Sequence, residues 1–373
     1  MAHDIENPRT KKYTKFKTFL IKLEFLIKKF FYFFIIFINF IFHYKNKKII
    51  DIQDYITDTR FINYLFYSLK DNYCFSYNLS FTLVNFVKKI GIKNFILHSV
   101  PNILLKSKKK IKLLVNSNDK LIDAINFDTN YFGNKINQDL FYMPYYMYPK
   151  IYNNKYSEIE KLKKNKKIIR ILFSGSTNEE VYNKFNWKYS DDLRLLNRVE
   201  IINYIIDTFK DKVFLLKNYS DIKKIDFFHK KIVLSINNKL IKKSNTNLTT
   251  NEHLDLISRS NFFLTAPGGD MPLCHHLIES IKLKSIPISN YAYLHKPDID
   301  IENYIQFKDF NSLKLAIESA MEMTDVEIIT KQKNLESFYD NLLSPKSFSN
   351  RFENSISNEI ISCNDIESLK WLN

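Results

Sequence analysis

Glycine is scarce in this chain, with 5 residues in 373, where average usage of about 7% would give about 26. Two of the five stand side by side, Gly268-Gly269, inside TAPGGDMPLCHHLIES (265–280). Compositional drift does not explain a pair placed just before what reads as a helix. Cysteine is scarce as well: Cys74, Cys274 and Cys363 are far apart, odd in number and form no CxxC pair. That argues against a disulfide framework or a structural zinc site and makes a reducing compartment the default. A composition of 45% hydrophobic and 26% charged residues excludes a disordered chain and allows sizeable cores. At about 150 residues per domain the length suggests two domains with some extra.

The net charge of +16 is diluted by a lysine, isoleucine, asparagine and aromatic excess spread over the whole chain, but it is densest at the start. RTKKYTKFKTFLIKLEFLIKK (9–29) runs into FFYFFIIFINFIF (30–42). The second stretch falls short of the roughly 20 apolar residues of a membrane-crossing helix, and no small-residue cleavage site follows it as in a secretory signal. The segment reads as a helix lying in a membrane interface. Lys28 and Lys29 would meet anionic headgroups, with Phe30, Phe33, Phe34 and Phe37 buried beneath. This predicts a peripheral protein on the cytoplasmic face of a membrane. A helix packed on the protein's own core is the alternative, and a tilted span over 19–42 is a weaker one.

From residue 48 onward helices and short apolar runs alternate. DYITDTRFINYLFYSL and LSFTLVNFVKKIG read as helices, and NFILHSV and KIKLLVN as strands, with KLIDAINFD beyond. An irregular aromatic stretch, YFGNKINQDLFYMPYYMYPKIYN, then leads to KLKKNKK (161–167), read as an interdomain linker. In the second block IIRILF is a buried-strand run that stops at the turn-forming Ser174-Gly175-Ser176-Thr177-Asn178. A helix over 194–209 follows, then the strands KVFLL and KIVLSI. Thr249 and Glu252 have capping-box spacing for a helix carrying Leu254 and Ile257. The strand NFFLT, the glycine loop, a helix to about Lys284 and the strand SIPIS complete the pattern. Such alternation implies a parallel sheet with crossover helices, whose ligands bind beyond the carboxyl ends of the strands. Gly175 and Gly268-Gly269 both sit at such ends.

Asp270 is a plausible helix N-cap, and Pro272 is tolerated in a first turn. Two glycines before the cap would expose backbone N–H groups beside a helix start, which suits phosphate; an ordinary tight turn is the bland reading. On the helix, Leu273, Cys274, Leu277, Ile278 and Ile281 gather toward the sheet and Glu279 falls opposite, flanked by His275 and His276. A carboxylate there could accept hydrogen bonds from ribose hydroxyls, or could be a solvated Glu with surface histidines. Zinc on Cys274, His275 and His276 is not expected, because adjacent residues diverge around a helix.

The segment SNFFLTAPGGDMPLCHHLIESIKLKSIPIS resembles the donor-binding signature of the exostosin-like glycosyltransferases, a GT-B family. The matching residues are Ser260, Pro267, Gly269, Asp270, Pro272, Glu279 and Pro287. ILFSGSTN with Arg198 is similar to the family's first strand and loop of the nucleotide-binding domain. The resemblance covers roughly 125–345, and only 260–289 is specific. The family's Arg falls at His276, and its small Ser residues fall at Leu273 and Cys274. That departure concerns a phosphate contact, since His is only partly charged near neutral pH and lacks the fork of Arg.

The resemblance implies an α/β, GT-B-like architecture of two Rossmann-like domains facing a cleft; the N-terminal pattern adds a basic and aromatic amphipathic helix. The boundaries expected are a membrane-associating segment (1–47), an acceptor domain (48–160), a linker (161–167), a donor domain (168–343) and a helical tail (344–373). It further implies transfer of a sugar from a nucleotide diphosphate donor to a glycan or lipid-linked acceptor, with inversion. Donor-binding residues would be Gly175, Ser176, Arg198, Pro267, Gly268, Gly269, Asp270, His276 and Glu279. No cofactor or metal is expected, because backbone N–H groups, a helix dipole and cations could stabilise the leaving diphosphate. Asp298-Ile299-Asp300 has metal-binding spacing but follows the closing strand. Asp128 and His98 are the candidates for the catalytic base. The other classes considered are a noncatalytic nucleotide-sugar-binding scaffold and a basic nucleic-acid-binding protein; no RNA-binding motif occurs, and no nucleic-acid partner is expected.

Overall fold

The computed structural model describes helical positions between 19 and 38, then residues 48–52, 59–77, 110–115, 124–132, 141–182, 188–190, 193–223, 231–237, 248–269, 271–354, 359–363 and 368. Strands β1 (Lys48–Ile52), β2 (Tyr73–Tyr77), β3 (Lys110–Val115), β4 (Ala124–Asp128) and β5 (Phe141–Tyr142) belong to a first sheet, with helix α1 (Thr59–Leu69) between β1 and β2. Residues 151–155 form a wide helical turn that runs into α2 (Tyr156–Leu162). The second block holds β6 (Ile169–Ser176), α3 (Glu179–Tyr182), the short pair β7 (Lys188–Ser190) and β8 (Leu193–Arg194), and α4 (Arg198–Thr208). It continues through β9 (Val213–Leu215), β10 (Ile232–Asn237), α5 (Thr250–Ser258), β11 (Ser260–Leu264), α6 (His275–Lys282), β12 (Ile286–Ser289) and β13 (Ile305–Gln306). The chain closes with α7 (Phe310–Glu322), α8 (Asp325–Phe338), α9 (Pro345–Asn354) and β14 (Glu359–Ile361).

Among the described residues these strands form two six-stranded sheets, ordered β2-β1-β3-β4-β14-β5 and β13-β12-β11-β6-β10-β9. Every pairing within them is parallel, which is why strands such as IRILF and IVLSI read as mostly apolar runs, broken only by the buried Arg170 and Ser235: both of their faces are covered. In the second sheet β6 lies between β10 and β11, so the chain leaves its centre in two directions. That reversal opens a crevice at the carboxyl edge.

The chain end departs from the expected helical tail. After α9 it returns as β14, which inserts between β4 and β5 of the first sheet. Phe348 and Phe352 of α9 pack against Tyr64, Tyr73 and Phe141, and the Tyr64 hydroxyl donates to Leu343 O at 3.1 Å. Apolar burial of about 1.5–3 kcal/mol per large side chain holds the tail there. The expected linker at 161–167 is likewise anchored: Lys163 pairs with Glu336 at 2.7 Å, Asn165 Nδ2 donates to Asp255 at 3.0 Å, and Lys167 Nζ donates to Leu283 O at 2.9 Å. Strands at KIIDI and YCFSY were not anticipated. LSFTLVNFVKKIG and NFILHSV lie outside the described residues.

At the amino end, Phe19, Leu20, Leu23, Leu26, Ile27, Phe30, Phe31, Phe34, Phe37 and Ile38 are helical and 37% to 73% exposed. None of them belongs to the buried core, so the core-packed alternative is not met at these positions. Lys28, Lys29 and Phe33 lie outside the described residues. Among the described residues, no helix is long and apolar enough to cross a membrane.

Candidate functional site

The carboxyl edge of the second sheet opens into a cleft of ≈ 350 Å³. Its walls are the last residues of β6 (Ser174, Gly175, Ser176) and β10 (Ser235, Asn237), the start of α5 (Thr249, Thr250, His253), Arg198 of α4, and His275, His276 and Glu279 of α6; Tyr148 closes one side. Helix starts place most of these groups. Asn197 caps α4, accepting from Val199 N at 2.9 Å and Glu200 N at 3.0 Å, while Glu200 Oε2 accepts from Asn197 N at 2.8 Å. This reciprocal box fixes Arg198 as the first helical residue, four positions later than expected, and turns its side chain under the sheet edge. Thr249 and Glu252 form the expected box on α5, which sets His253 in that helix's first turn.

Arg198 is 4% exposed. Its Nη1 donates to Ser176 O at 3.2 Å and Tyr182 Oη at 2.7 Å, and its Nη2 to Ala266 O at 3.3 Å and Cys274 Sγ at 3.6 Å. All four acceptors are uncharged groups, Nε is buried without a partner, and among the described residues no carboxylate pairs with the guanidinium. Burial works against its charge, but the Tyr182 and Cys274 side chains more than offset that and hold its pKa above the ordinary value. Gly175 makes room for this arrangement: a Cβ there would stand 3.2 Å from Arg198 Nη1 and 3.6 Å from His276 Cε1.

Glu279 is 1% exposed, not solvated. Its Oε1 accepts from Tyr148 N at 2.9 Å and lies 3.0 Å from His275 Nδ1, while its Oε2 lies 3.4 Å from His253 Nε2. Burial opposes ionisation, yet His275 above all, with His253, keeps the carboxyl well below its usual range. His276 is pushed the other way, well below the ordinary imidazole value, by burial and then by His275 and His253. It is therefore a neutral ring at neutral pH and does not replace the family's Arg as a cation. Arg198, from another helix, puts a fixed cation in the cleft.

Of the expected donor residues, Gly175, Ser176, Arg198, His276 and Glu279 converge on the cleft, while Pro267, Gly268 and Gly269 do not line it. The glycine pair makes a closed turn: Gly268 N donates to Pro272 O at 3.2 Å, and a Cβ on Gly268 would stand 2.5 Å from Met271 O. Gly269 lies against α3, where a Cβ would meet Val181 Cγ1 at 2.7 Å. The helix starts at His275 with Cys274 as N-cap, not at Asp270, and Asp270 lies outside the described residues. Cys274 is extended, with φ −131°, so Cys274, His275 and His276 do not diverge as helical neighbours would; their ligand atoms fall within 4.8 Å of one another. Asp128 ends β4, where its Oδ1 accepts from Asn130 N at 2.8 Å; it does not line the cleft. His98 lies outside the described residues. Sequence reasoning missed His253, Ser174 and Tyr148. Only His253 left a signal, one residue past a capping box at a sheet edge.

No protein-family model and no curated protein sequence matches the chain. Among solved structures, the chain is similar to the N-terminal domain of Candida albicans trehalose-6-phosphate phosphatase (TM-score 0.33, 11% identity, 86% of this chain and 72% of that one). It is also similar to an alpha1,3-fucosyltransferase (TM-score 0.35, 9% identity, 81% and 92%) and to Anabaena HepE in complex with UDP (TM-score 0.34, 8% identity, 83% and 99%). At these scores the likeness assigns no activity to this chain.

Proposed function

We propose that the protein is a glycosyltransferase of GT-B type that binds a nucleotide diphosphate sugar in this cleft and passes the sugar to a glycan or lipid-linked acceptor. The observation that carries the reading is Arg198: a buried guanidinium among neutral acceptors, at the crevice of a doubly wound parallel sheet. A fixed cation in a water-poor site stabilises the charge that develops on a departing diphosphate more than it would in water. The cleft volume falls within the range of small-ligand pockets, about 300–1,000 Å³, and its serine, threonine and asparagine side chains supply hydrogen bonds for a sugar or base. The noncatalytic alternative drew on the missing Arg at His276, and Arg198 supplies that charge from elsewhere. The exposed apolar helix at the amino end supports docking on the cytoplasmic face of an anionic membrane, where lipid-linked acceptors are found.

The test is a thermal-shift screen of the purified chain against UDP, GDP, ADP and CMP. A ligand that binds only the folded state at about 100 times its dissociation constant adds about 2.7 kcal/mol, and a diphosphate should stabilise more than the monophosphate. No shift with any of the four, alongside salt-dependent RNA binding, would replace this reading with the nucleic-acid one.

A further inference from the structure

His253 on α5 and Glu279 on α6 face each other across a gap that neither fills. His253 Nε2 and Glu279 Oε2 are 3.4 Å apart, and both atoms are buried without a hydrogen-bond partner among the described residues. His253 Nδ1 is 2.9 Å from Ser174 Oγ. The tautomer decides what faces the carboxylate: with Ser174 Oγ–H donating to Nδ1, Nε2 carries the proton toward Glu279, and with Nδ1–H donating to that hydroxyl, the Nε2 lone pair points at a carboxylate oxygen. Two lone pairs do not face each other in a dry site without positive charge between them. His276 brings a third donor, because it sits three residues before Glu279 on the same helix face. The donor atoms of His253, His276 and Glu279 all lie within 4.8 Å of one another.

We infer that His253, His276 and Glu279 form a binding site for one divalent transition cation of the zinc class, with an open coordination position toward the cleft. Two ligands at about 2.0–2.1 Å in a tetrahedral arrangement stand about 3.3 Å apart, close to the gap between His253 and Glu279. Two imidazoles and a carboxylate are a known donor set for zinc sites that keep a fourth position for an exogenous oxygen, whereas magnesium prefers oxygen ligands throughout. The supports that ligating groups need are in place: Ser174 Oγ on the far nitrogen of His253, and Tyr148 N donating to Oε1 of Glu279. Arg198 lines the same cleft, so the exogenous ligand is an anionic oxygen such as that of a phosphoryl group. The proposal departs from the sequence expectation of a metal-free cleft. It does not rest on the glycosyltransferase reading, since the ion can be assayed without nucleotide.

The rival occupant of the gap is a proton shared by His253 and Glu279, and metal binding separates the two. The full chain is stripped with chelator and titrated with cobalt(II), with d–d absorption and metal content read together. We expect one equivalent bound, the intense visible bands of four-coordinate cobalt, displacement by zinc and none by magnesium. His253→Gln and Glu279→Gln should each abolish the bands. Ser174→Ala, which removes the support of His253, should weaken affinity about 10- to 100-fold. Circular dichroism checks that each variant is folded, and if Glu279→Gln is not, His253→Gln and Ser174→Ala decide. A wild-type chain that takes up no stoichiometric cobalt overturns the proposal, as does unchanged binding in folded His253→Gln.

Discussion

Replacing Arg198 by methionine separates the charge in the cleft from the packing around it. The methionine keeps an unbranched apolar stem against Phe173 and Tyr182, whose rings lie 6.0 and 4.6 Å from the guanidinium carbon, and loses the donors to Ser176 O, Tyr182 Oη, Ala266 O and Cys274 Sγ. For folding, two effects oppose each other. Hydrogen bonds from a charged donor are lost, at about 1.5–3 kcal/mol each in isolation, while the desolvation of a buried cation that no described carboxylate compensates is relieved. The net change in stability should stay within about 2 kcal/mol. For binding there is no such cancellation, because one charge-assisted contact to phosphate contributes about 1.5–3 kcal/mol, or about 10- to 150-fold in affinity. Isothermal titration with the nucleoside diphosphate that stabilises the wild type measures this directly. Arg198→Lys, which keeps charge but not the planar fork, should fall between the two. A folded Arg198→Met chain that binds the diphosphate as tightly as wild type would refute the assignment of Arg198 as the phosphate cation.

Gly268→Ala should destabilise by about 1–3 kcal/mol, because its Cβ would stand 2.5 Å from the backbone oxygen of Met271; Gly269→Ala should be milder, since Val181 can turn away, and urea unfolding that ranks them the other way would remove this account of the pair. His295 is buried with neither ring nitrogen partnered among the described residues, and burial lowers its pKa to about 3. The unfolded chain takes up a proton below about 6.5 while the folded ring stays neutral, so stability is whole above that pH and is lost as pH falls toward the folded value. The loss is about 2 kcal/mol at about pH 5. His295→Leu should remove about that much acid sensitivity, and denaturation curves with the same pH dependence in both proteins would mean that the ring is not held neutral. Full-length protein should float with anionic vesicles at low salt and less with neutral ones, while a chain lacking residues 1–45 should stay soluble and unbound; failure of the full chain to float would end the membrane proposal.

Local pattern was enough for much of this chain. Short, mostly apolar runs marked β3, β4, β6, β10, β11 and β12, because a strand covered on both faces is rich in apolar residues. The Thr249 and Glu252 spacing marked the start of α5, since a capping box is a contact within one turn. Gly175 and the pair Gly268-Gly269 read as lying at one carboxyl edge; Gly175 lines the cleft there beside Arg198 and Glu279, and the pair does not. What sequence could not supply depended on partners distant along the chain. The return of β14 into the first sheet is carried by three residues whose pairing lies more than 200 positions away, so no periodicity announces it. The glycine pair looked like a phosphate cradle because its composition fits one, but only folded geometry shows Gly268 N–H spent on Pro272 O. Glu279 lay opposite the apolar stripe of its own helix and so seemed exposed; Tyr148 and His253, from other elements, cover that face and bury it. A side chain's charge state and ligands are set by what surrounds it in space, and for Glu279, His276 and Arg198 those surroundings come from segments that local sequence does not connect.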